Sequence, residues 1–252
     1  MVISTNLLNE IDEKREKILA NPSLELKLRK KTDKRLRRFC NLHSYFIEHP
    51  SERMKLLRKE HVEDAKALKA KVNGYTERAN ACWEHLSLNY PNGLLPNLNP
   101  NIIFKIGNMV DPTNISFRSS GLLRLNDMKY VPPNPLKVND LIDKYCRDIN
   151  GSEYHPVEAA ALTHLVITGI QPFKDGNKRT ARILQDKILF DYKLPPAFFP
   201  YGEREVYLDL LDQSLLDKMS GNSQNFVAQR PFFDYVGGKV NAVLDEVLGD
   251  IR

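Results

Sequence analysis

Gly169-Ile170-Gln171-Pro172-Phe173-Lys174-Asp175-Gly176-Asn177-Lys178-Arg179-Thr180-Ala181-Arg182 is the stretch on which the fold turns. Just before it, Pro156 opens a run from Val157 to Thr168 that is apolar almost all round, through Ala159, Ala160, Ala161, Leu162, Leu165, Val166 and Ile167. Such a run suits a helix buried on most sides. Gly169 and Pro172 close it, and a second helix is expected to resume at Asn177. Lys178, Arg179 and Arg182 fall in the first two turns of that second helix. A helix N-terminus already carries partial positive charge and disfavours cations there. Their placement makes sense if an anion binds at that end. The N–H groups of Gly176, Asn177 and Lys178 can then point at its oxygens, Gly176 permits close backbone approach, and the cations add charge-assisted bonds. Arg179 and Arg182, three residues apart, can lean over one face. Asp175 can cap the helix or hold Mg²⁺ between two phosphates. On the residues alone, a plain aspartate cap followed by solvated cations fits as well. A Walker-type loop fits poorly, because Gly169 to Gly176 is too long a spacing and Lys178 is not followed by Ser or Thr.

Outward from this stretch the chain reads as helices. Leu7, Leu8, Ile11 and Ile18 recur at helical spacing, and Leu24, Leu28, Phe39, Leu42, Tyr45 and Phe46 do so less cleanly. Asn21-Pro22-Ser23 and His49-Pro50-Ser51 punctuate this region, each placing a serine where an N-cap would sit. Tyr90-Pro91-Asn92-Gly93 and Asn97-Leu98-Asn99-Pro100 form the strongest break. They divide an N-terminal helical extension, residues 1–95, from a core at 96–202, and residues 203–252 are expected to add C-terminal helices packed on that core. Within the core, Ser116 to Val131 reads as two short extended arms around a turn at Asn126-Asp127, a small β-hairpin. Leu136, Leu141, Ile142, Tyr145 and Ile149 mark an amphipathic helix that stops at Asn150-Gly151. The fold class expected is all-α with one hairpin.

These motifs together resemble the Fic (filamentation-induced-by-cAMP) family of the Fic/Doc superfamily. Its motif, His-x-Phe-x-(Asp/Glu)-Gly-Asn-(Gly/Lys)-Arg-x-x-Arg, is matched at Phe173, Asp175, Gly176, Asn177, Lys178, Arg179 and Arg182. His155-Pro156-Val157-Glu158-Ala159-Ala160-Ala161 with His164 looks like the family's lead-in helix, and Phe117 to Gly121 with Val131 to Pro135 looks like its flap. The resemblance covers roughly residues 100–200. It implies an all-α core that transfers AMP from ATP, with Mg²⁺, to a hydroxyl of a target protein. Carried across, it implies that Asp175 holds the metal and that Gly176, Asn177 and Lys178 form the anion hole. Arg179 and Arg182 would grip the β- and γ-phosphates, and Phe173 would anchor the loop. The flap at Arg118, Ser119, Ser120, Gly121 and Leu122 would dock the target by strand addition.

Three positions depart from that pattern or extend it. Gln171 stands where the family has its catalytic histidine, a proton acceptor worth roughly 10²–10⁴-fold. A glutamine amide is not basic near neutrality, though it can orient a hydroxyl or water. His164 is no ready substitute: seven residues back along a helix is about 10 Å. Lys178 matches the Doc branch, in which the terminal phosphate is transferred, so three outcomes stand: AMP transfer, phosphotransfer, or a nucleotide-binding pseudoenzyme that acts through protein interaction. Family members often carry an inhibitory helix, (Ser/Thr)-x-x-x-Glu-(Gly/Asn). The nearest approach to it is Ser44-Tyr45-Phe46-Ile47-Glu48-His49, which nominates Glu48 as a partner of Arg182.

Composition narrows the rest. The chain is 252 residues, 42% hydrophobic and 27% charged, and no stretch approaches the roughly 18 apolar residues that cross a bilayer. No membrane partner is expected, and with no secretory layout at the N-terminus the cytoplasm is the expected compartment. Cys40, Cys82 and Cys146 are sparse and form no CxxC pair, which argues against a disulfide framework or zinc site. The net charge of +5 is concentrated in residues 1–90, with 19 Lys+Arg against 13 Asp+Glu, and peaks between Lys27 and Arg38. Such a run can meet nucleic acid or an anionic surface, but few aromatics interleave it, so a solvated helix face is the first reading and nucleic-acid contact a distant alternative.

Overall fold

The structure is a computed structural model that describes residues 2–34, 40–52, 62–121, 128–219 and 229–249. In chain order the helices are α1 (Thr5–Leu19), α2 (Pro22–Lys34), α3 (Asn41–Glu48), α4 (Val62–Asn89), α5 (Pro100–Val110), α6 (Val138–Asn150), α7 (Pro156–Ile170), α8 (Asn177–Asp191), α9 (Arg204–Met219) and α10 (Arg230–Gly249). Among the described residues there is no strand. The described fold is therefore helical, as the periodicity implies.

Local chemistry sets where the central helices begin. Asn99 caps α5 by accepting the Ile102 N–H at 3.2 Å, with Pro100 in the first position. His155 plays the same part for α7, accepting the Val157 N–H on Nδ1 at 3.2 Å ahead of Pro156. At α2 the cap is Asn21, whose side chain accepts from Ser23 N at 3.0 Å, so Ser23 lies inside the helix and not at its cap. Every residue of α7 from Val157 to Ile170 is buried, and the helix runs through the middle of the molecule with α8 packed along it. Alanines at 159, 160 and 161 let neighbouring helices approach closely. Tyr145 of α6 ties down another side of α7 by donating to Thr163 at 2.6 Å.

The N-terminal helices join this core. A single cluster of buried apolar side chains runs from Ile3, Leu8, Ile11 and Ile18 through α5 to α8 and on to Phe232, Val240 and Leu244 of α10. Glu158 of α7 accepts the backbone N–H groups of Val2 and Ile3, Asp234 accepts that of Ser4, and His155 faces Asp12 at 3.3 Å. In the basic run, Lys27 donates to the Val247 carbonyl and Lys31 pairs with Glu246 at 3.2 Å, both at the C-terminal end of α10. Cations there also complement the helix dipole.

The expected hairpin needs correction. Its turn, Asn126-Asp127, lies outside the described residues, and the described parts of its arms are irregular and not strands. Those parts bond to the helical core and not to each other. Arg118 N donates to the Pro172 carbonyl at 2.8 Å, and Lys129 N and Tyr130 N donate to the Asp212 carboxylate of α9. With their donors committed to the core, these residues cannot form a ladder between the arms.

Candidate phosphate-binding site

The six residues between α7 and α8 are held as a rigid arch. Gln171 ends α7 in the left-handed region at φ 51°, ψ 62°, a conformation that costs a non-glycine residue about 1–2 kcal/mol. Its side chain offsets that: Nε2 donates to the Thr168 carbonyl at 2.6 Å and Oε1 accepts from Asn177 Nδ2 at 2.8 Å. Asn177 closes the arch from the other side. It accepts the Phe173 N–H at 2.8 Å and donates to the Phe173 carbonyl at 2.9 Å. Phe173 is fully buried against Gly107 of α5, where an added Cβ would stand only 2.0 Å from its ring. Gly176 begins α8 at φ 83°, and a Cβ there would lie 2.9 Å from Val110, so both backbone and space require glycine.

The N-terminus of α8 gathers the charged groups that the motif names. Asp175 is not a helix cap in the usual sense: its Oδ1 accepts from Gly176 N at 2.6 Å and its Oδ2 pairs with Arg179 at 2.7 Å. Its side chain is 70% exposed. Arg179 also lies over the ring of Tyr75, 5.5 Å from the centroid. Arg182 is buried and surrounded by three partners from two other helices, donating to Ser44 Oγ (2.9 Å) and Glu48 Oε1 (2.8 Å) of α3 and to Tyr207 Oη (3.2 Å) of α9. Glu48 Oε2 meets Lys178 Nζ at 3.1 Å. One carboxylate thus sits between two motif cations. Burial would raise its pKa, but the charges of Lys178 and Arg182 outweigh that and hold it at about 2.

Two sequence-nominated residues have a different setting from the one expected. Arg118, nominated for target docking, is 4% exposed. Its guanidinium donates to the carbonyls of Gln171 (2.6 Å), Pro133 (2.7 Å) and Ile170 (3.1 Å), closing the C-terminal end of α7 with a cation. Ser119, Ser120 and Gly121 are exposed, and Leu122 lies outside the described residues. Gln171 is 4% exposed with both ends of its amide engaged inside the arch, so orienting a hydroxyl would require breaking one of those bonds. Ser44, Tyr75 and Tyr207 were not singled out by the sequence: each is remote from the motif, and the only local signal is Ser44 at the head of the Glu48 pattern.

Residues 97–189 match the sequence model of the Fic/DOC family. The chain carries a Fic domain. An 85-residue stretch is 38% identical to the protein adenylyltransferase Fic of Drosophila ananassae, covering 32% of this chain and 17% of that protein. The aligned Fic region therefore spans about a sixth of that curated relative's length. Solved structures share the fold. Fic-1 (residues 134–508) of Caenorhabditis elegans superposes over 97% of this chain and 72% of its own, with a TM-score of 0.65 at 19% identity. A Fic domain containing signaling protein of Bacteroides thetaiotaomicron does so over 96% and 97%, with a TM-score of 0.66 at 18% identity. These coverages take in the helices on both sides of the Fic domain.

No helix among the described residues is long and apolar enough to cross a membrane. No group of three or more His, Cys, Asp or Glu side chains among them forms a metal cage. Mg²⁺ needs no such cage, since it is commonly held by one or two carboxylates together with substrate phosphates. Asp175 is the exposed carboxylate at the head of α8 and fits that part.

Proposed function

We propose that this Fic domain binds MgATP with its phosphates at the head of α8 and transfers AMP to a hydroxyl of a target protein. One observation carries the reading. Lys178 and Arg182, at the N-terminus of a helix opened by Gly176, already close on an anion, the carboxylate of Glu48. An ATP phosphate satisfies the same groups, with N–H donors of the first turn added. Asp175 would hold Mg²⁺, which supplies charge neutralisation for the phosphates. Gly176, Asn177 and Lys178 would form the anion hole, and Arg179 would turn from Asp175 toward the phosphates. Ser119, Ser120 and Gly121, exposed beside Arg118, remain the edge on which a target segment would dock, with Arg118 fixing that edge to the arch.

Two features hold turnover low in this reading. Glu48 occupies the room of a terminal phosphate, so α3 acts as an inhibitory helix. Gln171 offers no proton acceptor. The engaged amide of Gln171 also favours a second reading, a nucleotide-binding pseudoenzyme. ATP labelled at the α- or γ-phosphate separates these outcomes in the parent and in Glu48→Gly. Protein-bound α-label supports AMP transfer; γ-label points to the Doc-like phosphotransfer that Lys178 allows. Binding of ATP with neither label supports the pseudoenzyme. Gln171→His should raise α-label by roughly 10²-fold or more if the missing base is the main defect; no gain would sink that account.

A further inference from the structure

Arg182 is held from two sides that differ in permanence. Glu48 and Ser44 belong to α3, and Tyr207 belongs to α9 of the core. A phosphate gripped by Lys178 and Arg182 needs the room that the Glu48 carboxylate fills. Loading the site therefore removes Glu48 from Arg182 and disturbs its neighbour Ser44 on the same short helix. Tyr207 is the partner that α3 does not carry, although the first turn of its helix touches α3 where Arg204 donates to the Ile47 carbonyl at 2.8 Å. Tyr207 is fully buried, stacked on Phe199 with centroids 5.0 Å apart, and its ring lies 6.0 Å beneath the guanidinium.

The direction of the Tyr207 hydroxyl is set by a buried chain of groups. His164 Nε2 lies 2.9 Å from Tyr207 Oη, and His164 Nδ1 lies 2.8 Å from Gln185 Oε1. The Gln185 amide is oriented by its own Nε2, which donates to Asp186 Oδ1 at 3.2 Å. An amide oxygen can only accept, so the proton of His164 resides on Nδ1 and Nε2 is left bare. Burial and the nearby Arg182 charge also keep the imidazole neutral. The bare Nε2 accepts the Tyr207 O–H, which leaves the lone pairs of the Tyr207 oxygen for Arg182.

We propose that Tyr207, oriented by His164 and Gln185, is a positioning residue that keeps Arg182 aimed at the terminal phosphates once Glu48 has withdrawn. This rests on the assignment of the α8 head as an ATP-phosphate site. The test uses the full chain carrying Glu48→Gly, with calorimetric titrations of MgATP and of AMP, which lacks the phosphates that Arg182 would grip. Adding Tyr207→Phe should weaken MgATP roughly tenfold, the loss of one hydrogen bond to a charged group, and leave AMP unchanged. His164→Leu should reproduce that split, and His164→Gln, which can still accept from Tyr207, should recover most of the affinity. A role in packing alone would shift both nucleotides together or neither, and an unchanged ratio of ATP to AMP affinity overturns the proposal. Binding of neither nucleotide by the Glu48→Gly protein would instead overturn the phosphate-site reading on which it rests. A direct check needs no variant: ¹⁵N shifts of His164 should show the Nδ1-protonated neutral ring, and an Nε2-protonated ring would refute the chain of bonds.

Discussion

At the scale of single residues, two buried groups next to the motif, Asp186 and His164, carry consequences for stability. Asp186 is buried one turn beyond Arg182 on α8, and burial raises its carboxyl from 3.8 to about 7, against the opposing donors Gln185 and Ala197 N–H and the charge of Arg182. Between those values the folded chain keeps a proton that the unfolded chain has lost. Folding stability therefore falls as pH rises from about 4 to about 7. Asp186→Asn is uncharged throughout and can accept the same hydrogen bonds. Its melting temperature relative to the parent should climb across that window and level off above it. A difference that stays flat with pH would show that Asp186 is ionised in the folded state. His164 contributes the opposite slope. Burial lowers its pKa from 6.5 to about 3, so stability is lost as pH falls below about 6 and the unfolded imidazole takes up its proton.

At the scale of the element, α3 is small for the contacts it makes at the head of α8. Eight residues bring Ser44 and Glu48 to Arg182, and Glu48 also to Lys178. Glu48→Gly leaves two cations close together with no counter-charge. Removing one partner of a buried pair typically destabilises by about 3–5 kcal/mol; with the Glu48 side chain 17% exposed, the lower end is expected. The melting temperature should drop, and under the proposed function MgATP should recover more of it in the variant than in the parent, the nucleotide then replacing the missing anion. Equal MgATP shifts in the two proteins would refute the idea that Glu48 and phosphate compete. The sequence pointed to this element through a loose five-residue pattern. It could not show that Lys178 shares the carboxylate, since the approach of α3 to α8 is set by the helices packed around them.

At the scale of the whole molecule, helices before the Fic domain contribute buried side chains to the cluster that the domain shares. α1 buries Leu8, Ile11 and Ile18 and packs along α10, where Leu7 reaches to 3.1 Å of the Cβ position of Gly237. A fully buried aliphatic side chain stabilises by roughly 1.5–3 kcal/mol, and three of them approach the whole net stability of a typical domain. Deleting residues 2–19 should therefore abolish cooperative thermal unfolding. A sharp transition retained by the truncated chain would show that α1 is an independent appendage. The break near residue 95 is thus visible as a change of backbone and composition, yet the main cluster of buried side chains continues across it, while Tyr45, Phe46, Leu68 and Tyr75 form a second, smaller cluster before it.

The sequence by itself determined the head of α8 and the burial of α7, because each follows from contiguous residues and the period of a helix. The same holds for the family to which the domain belongs. Tertiary structure alone decided which remote groups meet there: Glu48 and Ser44 lie 134 and 138 residues from Arg182, and Tyr207 lies 25 away. It also turned Arg118 inward onto the carbonyls of Ile170 and Gln171 and tied Tyr130 to Asp212 where the Asn126-Asp127 turn suggested a hairpin. Local patterns specify what a segment can bond, and the packing of helices decides which partner is near enough to take the bond.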